Sequence, residues 1–183
     1  IPRLMTQARM DLHSQNIFEG NNQPEWGDIG TTIIVDAANG IGGFTDWTEE
    51  NSFLRQHFSP QVILETSEKA FYDYFVRQDI KIDYLHIDGD HSYEGVKKDF
   101  ELYSQIMSEN GIITIHDTDQ SYHNTFLISD TQKTDFAEFD GPAKFIEELK
   151  NNPKYNLVNL KNFITFTHKT TSTGLTVVTK NKI

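Results

Sequence analysis

Residues 85–95 read LHIDGDHSYEG, placing two carboxylates, an imidazole and a phenol within six residues at the end of an apolar run. Acids this close repel one another unless a cation, a hydrogen-bond donor or water offsets the charge. Asp and Gly are ordinary turn residues, so a solvated strand-to-helix turn is one reading. The other is a site that binds a ligand or moves a proton. A second polar cluster, HDT at 116–118, closes another apolar run, GIITI. What surrounds these two clusters decides between the readings.

Apolar runs alternate with helical patterns along the chain, the signature of a parallel α/β sheet. Residues 2–15 carry a helical pattern, and 20–30 are loop by their Gly, Asn and Pro content. TTIIVD (31–36) and QVILET (61–66) are β-rich strands, with a loop at 39–47 and a short helix at 48–58 between them. SEKAFYDYFVRQ (67–78) is helical, with Ser67 able to cap and a stripe of Ala70, Phe71, Tyr74 and Phe75. KIDYLHID (81–88) is a strand, 92–107 a helix and NGIITIHD (110–117) a strand. A long polar segment (118–140) precedes a helix over 141–152, and 155–160 with 174–180 close the fold as an antiparallel pair. The strands ending in Asp88 and Asp117 are joined by one helix, so a right-handed crossover sets them close together. Open parallel sheets bind ligands outside the carboxyl ends of their strands.

Composition narrows the function classes. With 183 residues the chain suits a single domain, residues 1–183. Its net charge of −11 disfavours nucleic acid or an anionic membrane as partner, because both reward basic patches. No apolar run approaches the roughly 18–20 residues of a membrane span. The absence of cysteine excludes disulfides, thiol catalysis and Cys-type zinc sites. It fits a reducing compartment, and with no apolar leader at the start the expected location is cytoplasmic.

Residues 81–118, IDYLHIDGDHSYEGVKKDFELYSQIMSENGIITIHDT with its flanking Lys81, resemble class I S-adenosylmethionine-dependent methyltransferases of the small-molecule O-methyltransferase branch. There, a strand ending in IDGDH-[ST]-Y leads into a helix with V-x-x-D and then a Gly-started strand ending in HD. The resemblance implies a Rossmann-like α/β fold, a mainly parallel sheet flanked by helices with a C-terminal antiparallel strand pair. It implies S-adenosylmethionine as cofactor, Mg²⁺ as a metal and a small-molecule hydroxyl, of a sugar or natural product, as acceptor. Homo-oligomer formation stays open. The rival readings are a non-catalytic cofactor-binding module and a metal-dependent hydrolase.

By the same resemblance, Asp36 accepts hydrogen bonds from the cofactor ribose diol, and Thr66 and Ser67 lie by the adenine, with Asp88, Gly89 and Tyr93 completing the cofactor site. Asp88 and Asp117 hold the metal with His116, which stands where an acid is often found. His91, three residues after Asp88, is the general base. Asp90 is expected in a turn or capping role, His86 as a satisfied core histidine, and Phe44 and Trp47 as aromatic packing or an adenine wall. His57, His123 and His168 have no assigned partners. The family's first strand and Gly-rich turn are either missing before Ile1 or supplied by VDAANGIGGFT (35–45), which would make Glu65 the ribose acid. The first alternative is preferred, although a sheet without its central strand would expose core.

Overall fold

A computed structural model describes residues 31–37, 60–119, 140–161, 163–166 and 169–181. The chain divides into two compact units, Ile1–Ala70 and Phe71–Ile183. The expected helices at 2–15 and 48–58, the loops at 20–30 and 39–47 and most of the 118–140 segment lie outside the described residues.

In the first unit, strands β1 (Ile33–Val35) and β2 (Gln61–Ile63) pair in parallel, with Val35 opposite Ile63. The ladder extends through Asp36 N–H donating to the Ile63 carbonyl at 3.0 Å. Helix α1 (Ser67–Ala70) follows. Its cap is Thr66 rather than Ser67: the Thr66 hydroxyl accepts from the Lys69 N–H at 3.4 Å, and Ser67 is already the first helical residue. The expected α-helix over 67–78 is therefore only one turn long. In the second unit, Phe71–Val76 form a π-helix, whose wider turn accommodates four rings in five residues. Phe71 and Phe75 both meet Tyr103 edge-on, at 5.3 and 5.2 Å.

The second unit continues with β3 (Ile82–Ile87), α2 (Tyr93–Tyr103), a 3₁₀ turn (Ser104–Ile106) and β4 (Met107–His116). Helix α3 (Gly141–Leu149) and strands β5 (Tyr155–Leu160), β6 (Phe163–Phe166), β7 (Lys169–Ser172) and β8 (Leu175–Lys180) complete it. Strand β4 begins earlier than its glycine suggests. Met107 pairs with Ile82 and Ile112 with Tyr84, so residues 108–111 bulge out of the ladder and the helix ends at Tyr103. Ser92 caps α2, its hydroxyl accepting from the Gly95 N–H at 3.0 Å, while Asp90 holds the preceding turn by accepting from the Ser92 N–H at 2.8 Å.

The four-stranded sheet has the order β3-β4-β8-β5. β3 and β4 are parallel, and β8 runs antiparallel between β4 and β5. The expected α/β architecture with a C-terminal antiparallel pair is thus present. One addition is a β6–β7 hairpin in the connection from β5 to β8. It carries no Asn-Gly or Asp-Gly signal that would mark it in the sequence. Among the described residues, no helix is long and apolar enough to cross a membrane.

Strand alternation separates the two faces of this sheet. Leu85, Ile87, Ile113, Ile115, Leu157 and Val178 face α2 and α3, which supply Val96, Phe100, Phe145, Ile146 and Leu149 to the same core. Phe100 is its pivot, with ring centroids 5.2 Å from both Phe145 and Tyr155. Phe100→Ala removes a ring shared by two helices and a strand. Chemical denaturation should show a loss of about 3–5 kcal/mol, the usual range for a buried Phe. A loss under about 1 kcal/mol would mean the ring is not central to the core.

Candidate functional site

The parallel register of β3 and β4 sets Ile87 opposite Ile115, so both strands release their chains at the same edge. Asp88 follows β3 immediately. His116 ends β4, and Asp117 comes next. His91 reaches back from the β3–α2 turn. Four side chains separated by up to 29 positions in sequence therefore meet within one small volume.

His116 Nδ1 lies 3.1 Å from Asp117 Oδ1 and 3.4 Å from Asp88 Oδ1. His91 Nε2 lies 3.5 Å from Asp88 Oδ1 and 3.4 Å from Asp117 Oδ2. His86 Nε2 faces the other Asp88 oxygen at 3.8 Å. Burial opposes ionisation of Asp88, but the imidazoles of His116, His86 and His91 outweigh it and hold the carboxyl well below the usual range. Asp117, followed by Asp88, pushes the His116 imidazole up to about 10. His91 is raised as well, chiefly by Asp88.

His116 Nδ1 is buried, and although near both carboxylates it is aligned into a hydrogen bond with neither. Asp88, His116 and Asp117 each offer a ligand atom, and these atoms all lie within 4.8 Å of one another. Two carboxylate oxygens and an unaligned buried nitrogen make a donor set that fits a divalent cation.

Backbone packing sets this arrangement. Asp117 has φ +54°, a left-handed conformation that Asp tolerates better than most residues. The segment after it is tied to the start of β8. Asp119 N–H donates to the Thr173 carbonyl at 2.9 Å, and the hydroxyls of Thr118 and Thr176 are 2.9 Å apart. Gly174, at φ +78°, is required there, because a Cβ would sit 2.5 Å from the Asp119 nitrogen. The His91 turn is held by α3. Gly141 N–H donates to the His91 carbonyl at 3.1 Å, and a Cβ on Gly141 would lie 2.2 Å from the Ser92 carbonyl carbon. Gly141 went unmarked in the sequence because its partner backbone is 50 residues away.

Of the expected site residues, Asp88, His91, His116 and Asp117 come together. Gly89 follows Asp88, and an added Cβ there would make only an ordinary 3.7 Å contact with Asp99. Tyr93 lies on α2, where its hydroxyl donates to Glu148 and accepts from Lys97 Nζ at 3.1 Å. Asp36, Thr66 and Ser67 belong to the first unit. They follow β1 and β2 at the shared carboxyl end of that parallel pair. Glu65, the alternative ribose acid, is ion-paired with Lys69. His86 is hydrogen-bonded as expected, through a 2.9 Å contact between Nδ1 and Thr114 Oγ1, but it lies on the sheet face opposite the apolar core and not within that core. Residues 39–45 with Phe44, and also Trp47, His57, His123 and His168, lie outside the described residues.

Residues 7–118 match a protein family described as a methyltransferase domain. Among solved structures, an O-methyltransferase from Bacillus cereus in complex with SAH is similar, with TM-score 0.57 and 13% identity over 83% of this chain and 63% of that one. The O-methyltransferase TomG from Streptomyces achromogenes, involved in tomaymycin synthesis and solved with SAM, gives TM-score 0.52 and 11% identity over 84% and 63%. The likeness to both is one of fold, and the chain spans less than two thirds of their length. No curated protein matches the sequence.

The charge balance at the strand ends has a measurable consequence. His116 is raised from the ordinary 6.5 to about 10, so with no metal bound its ion pairing contributes full stability below about 6.5. That contribution is lost as pH rises through about 10. Asp88 is depressed, so it remains ionised over this window and adds no slope. Thermal melts in chelator from pH 6.5 to 10 should therefore fall more steeply for the native chain than for His116→Gln. Parallel slopes would exclude the His116 pairing.

Proposed function

The chain belongs to the methyltransferase-domain family, and from that premise we propose that it transfers the methyl group of S-adenosylmethionine to a hydroxyl of a small molecule. The observation that carries this reading is the convergence of Asp88, His91, His116 and Asp117 at the carboxyl edge of two adjacent parallel strands. Ligands in open α/β sheets bind at that edge. The fold likeness to O-methyltransferases solved with SAH and SAM supports the choice of cofactor.

In this reading Asp36 takes the ribose diol, since one carboxylate offers acceptors to both hydroxyl donors. Thr66 and Ser67, at the same end of the β1–β2 pair, border the adenine. Asp88 and Gly89 approach the cofactor from β3. The hydroxyl of Tyr93 is engaged by Glu148 and Lys97, so its contribution to the cofactor site would be its ring face or edge.

Methyl transfer is an in-line displacement in which the acceptor oxygen gains the methyl carbon as the carbon–sulfur bond breaks. The acceptor proton must leave, and the His91 imidazole receives it. Asp88 and Asp117, both within 3.5 Å of His91 Nε2, stabilise the positive charge the ring then carries. Asp88, Asp117 and His116 would hold a divalent cation, which when bound lowers the pKa of a hydroxyl. The carboxylates suit Mg²⁺, and the imidazole adds affinity for Mn²⁺ and later transition metals. Binding requires His116 to give up its proton.

Calorimetric titration with S-adenosylhomocysteine tests the reading. Saturable binding is expected, weakened by about 1.5–3 kcal/mol in Asp36→Ala, as for loss of a charged acceptor. His91→Ala should bind it like the native chain. No heat of binding would overturn the assignment. Full affinity in Asp36→Ala would move the ribose contact to another acid.

A further inference from the structure

Thr114 interrupts the apolar run of β4 and is buried, with 5% exposure, on the sheet face opposite the hydrophobic core. Sheet register places it beside His86. Its hydroxyl oxygen is shared by three groups: Tyr84 OH at 2.8 Å, His86 Nδ1 at 2.9 Å and the Leu85 carbonyl at 3.3 Å. A hydroxyl has one proton to donate. The Leu85 contact is long for an O–H···O bond, whereas the contact to His86 is well within hydrogen-bond range. Either partner can donate in the Tyr84 and His86 contacts, and the Asp88 carboxylate beside His86 Nε2 decides between them. It favours the tautomer protonated at Nε2, so Nδ1 accepts from Thr114 and Tyr84 donates to Thr114 in turn.

An imidazole that accepts at Nδ1 carries its own proton on Nε2. That nitrogen lies 3.8 Å from Asp88 Oδ2, so its N–H sits beside the carboxylate, an electrostatic contact longer than a hydrogen bond. The opposite tautomer would turn a lone pair toward a negative charge. The two Asp88 oxygens then have separate tasks: Oδ2 faces His86, while Oδ1 faces His91 at 3.5 Å and His116 at 3.4 Å. We infer that Thr114 and His86 are positioning residues that turn the Asp88 carboxylate so that Oδ1 serves the reaction centre. The role in catalysis rests on the methyltransferase reading. The relay from Tyr84 through Thr114 to His86 does not.

Long-range ¹H–¹⁵N correlation of the imidazole nitrogens in the metal-free protein reads the tautomer directly. The native chain and Thr114→Ser should show His86 protonated at Nε2, and Thr114→Val should lose that single form. Mn²⁺ titration followed by electron paramagnetic resonance is the second readout. Thr114→Val should weaken binding roughly 10–100-fold, the range for residues that orient a ligand, with recovery in Thr114→Ser. A native His86 protonated at Nδ1 overturns the inference, even if Thr114→Val fails to fold. Unchanged Mn²⁺ affinity in a folded Thr114→Val also overturns it. S-adenosylhomocysteine binding separates the two claims. Affinity with the wrong tautomer sinks only this inference, and the right tautomer without affinity sinks only the methyltransferase reading.

Discussion

Two carboxylates at the ends of neighbouring parallel strands repel each other unless positive charge stands between them. Here the His116 imidazole supplies that charge, 3.4 Å from Asp88 and 3.1 Å from Asp117, and His91 Nε2 lies 3.5 and 3.4 Å from the same two acids. The raised His116 and His91 and the depressed Asp88 are one electrostatic fact seen from both sides. A protonated His116 provides the charge that a divalent cation would otherwise provide. Proton and metal therefore compete for one position, which makes the cluster responsive to both.

That cluster survives because its backbone is held from several directions. The β3–β4 ladder brings the strand ends level, and β8 pairs with β4 up to His116 itself. Beyond the strand, Asp119 and Thr118 are bound to the beginning of β8, which stabilises the left-handed turn at Asp117. Gly141 lets α3 lie directly on the backbone that carries His91. Helix packing thus has a chemical consequence, since the face of α3 that fills the core also sets the position of an imidazole.

The two faces of the sheet divide the labour. One is a close-packed apolar layer centred on Phe100, Ile115 and Val178. The other carries Tyr84, His86 and Thr114, whose hydrogen bonds run along the sheet surface to the site. Alternation of side chains along β3 and β4 makes this possible, because each strand contributes to the core and to the polar relay at successive positions.

The sequence by itself determined the alternating α/β order, the β3–α2–β4 unit and the identity of its chemistry-bearing residues. These are local properties: strand periodicity and the apolar stripe of α2 are each written within a few residues, whereas the cap of α2 falls on Ser92 and not on Asp90, which holds the turn before it. It also carried the terminal antiparallel pair through two β-rich runs. Only tertiary structure decided what depends on distant neighbours. The π-helix at 71–76, the bulge at 108–111 and the β6–β7 hairpin answer to packing and pairing partners far along the chain. So do the need for glycine at 141 and the placing of His86 on the polar face of the sheet beside Asp88, where the sequence pointed to the core. A side chain's type is encoded where it stands, but its charge state and orientation are set by groups that the fold alone brings within a few ångströms.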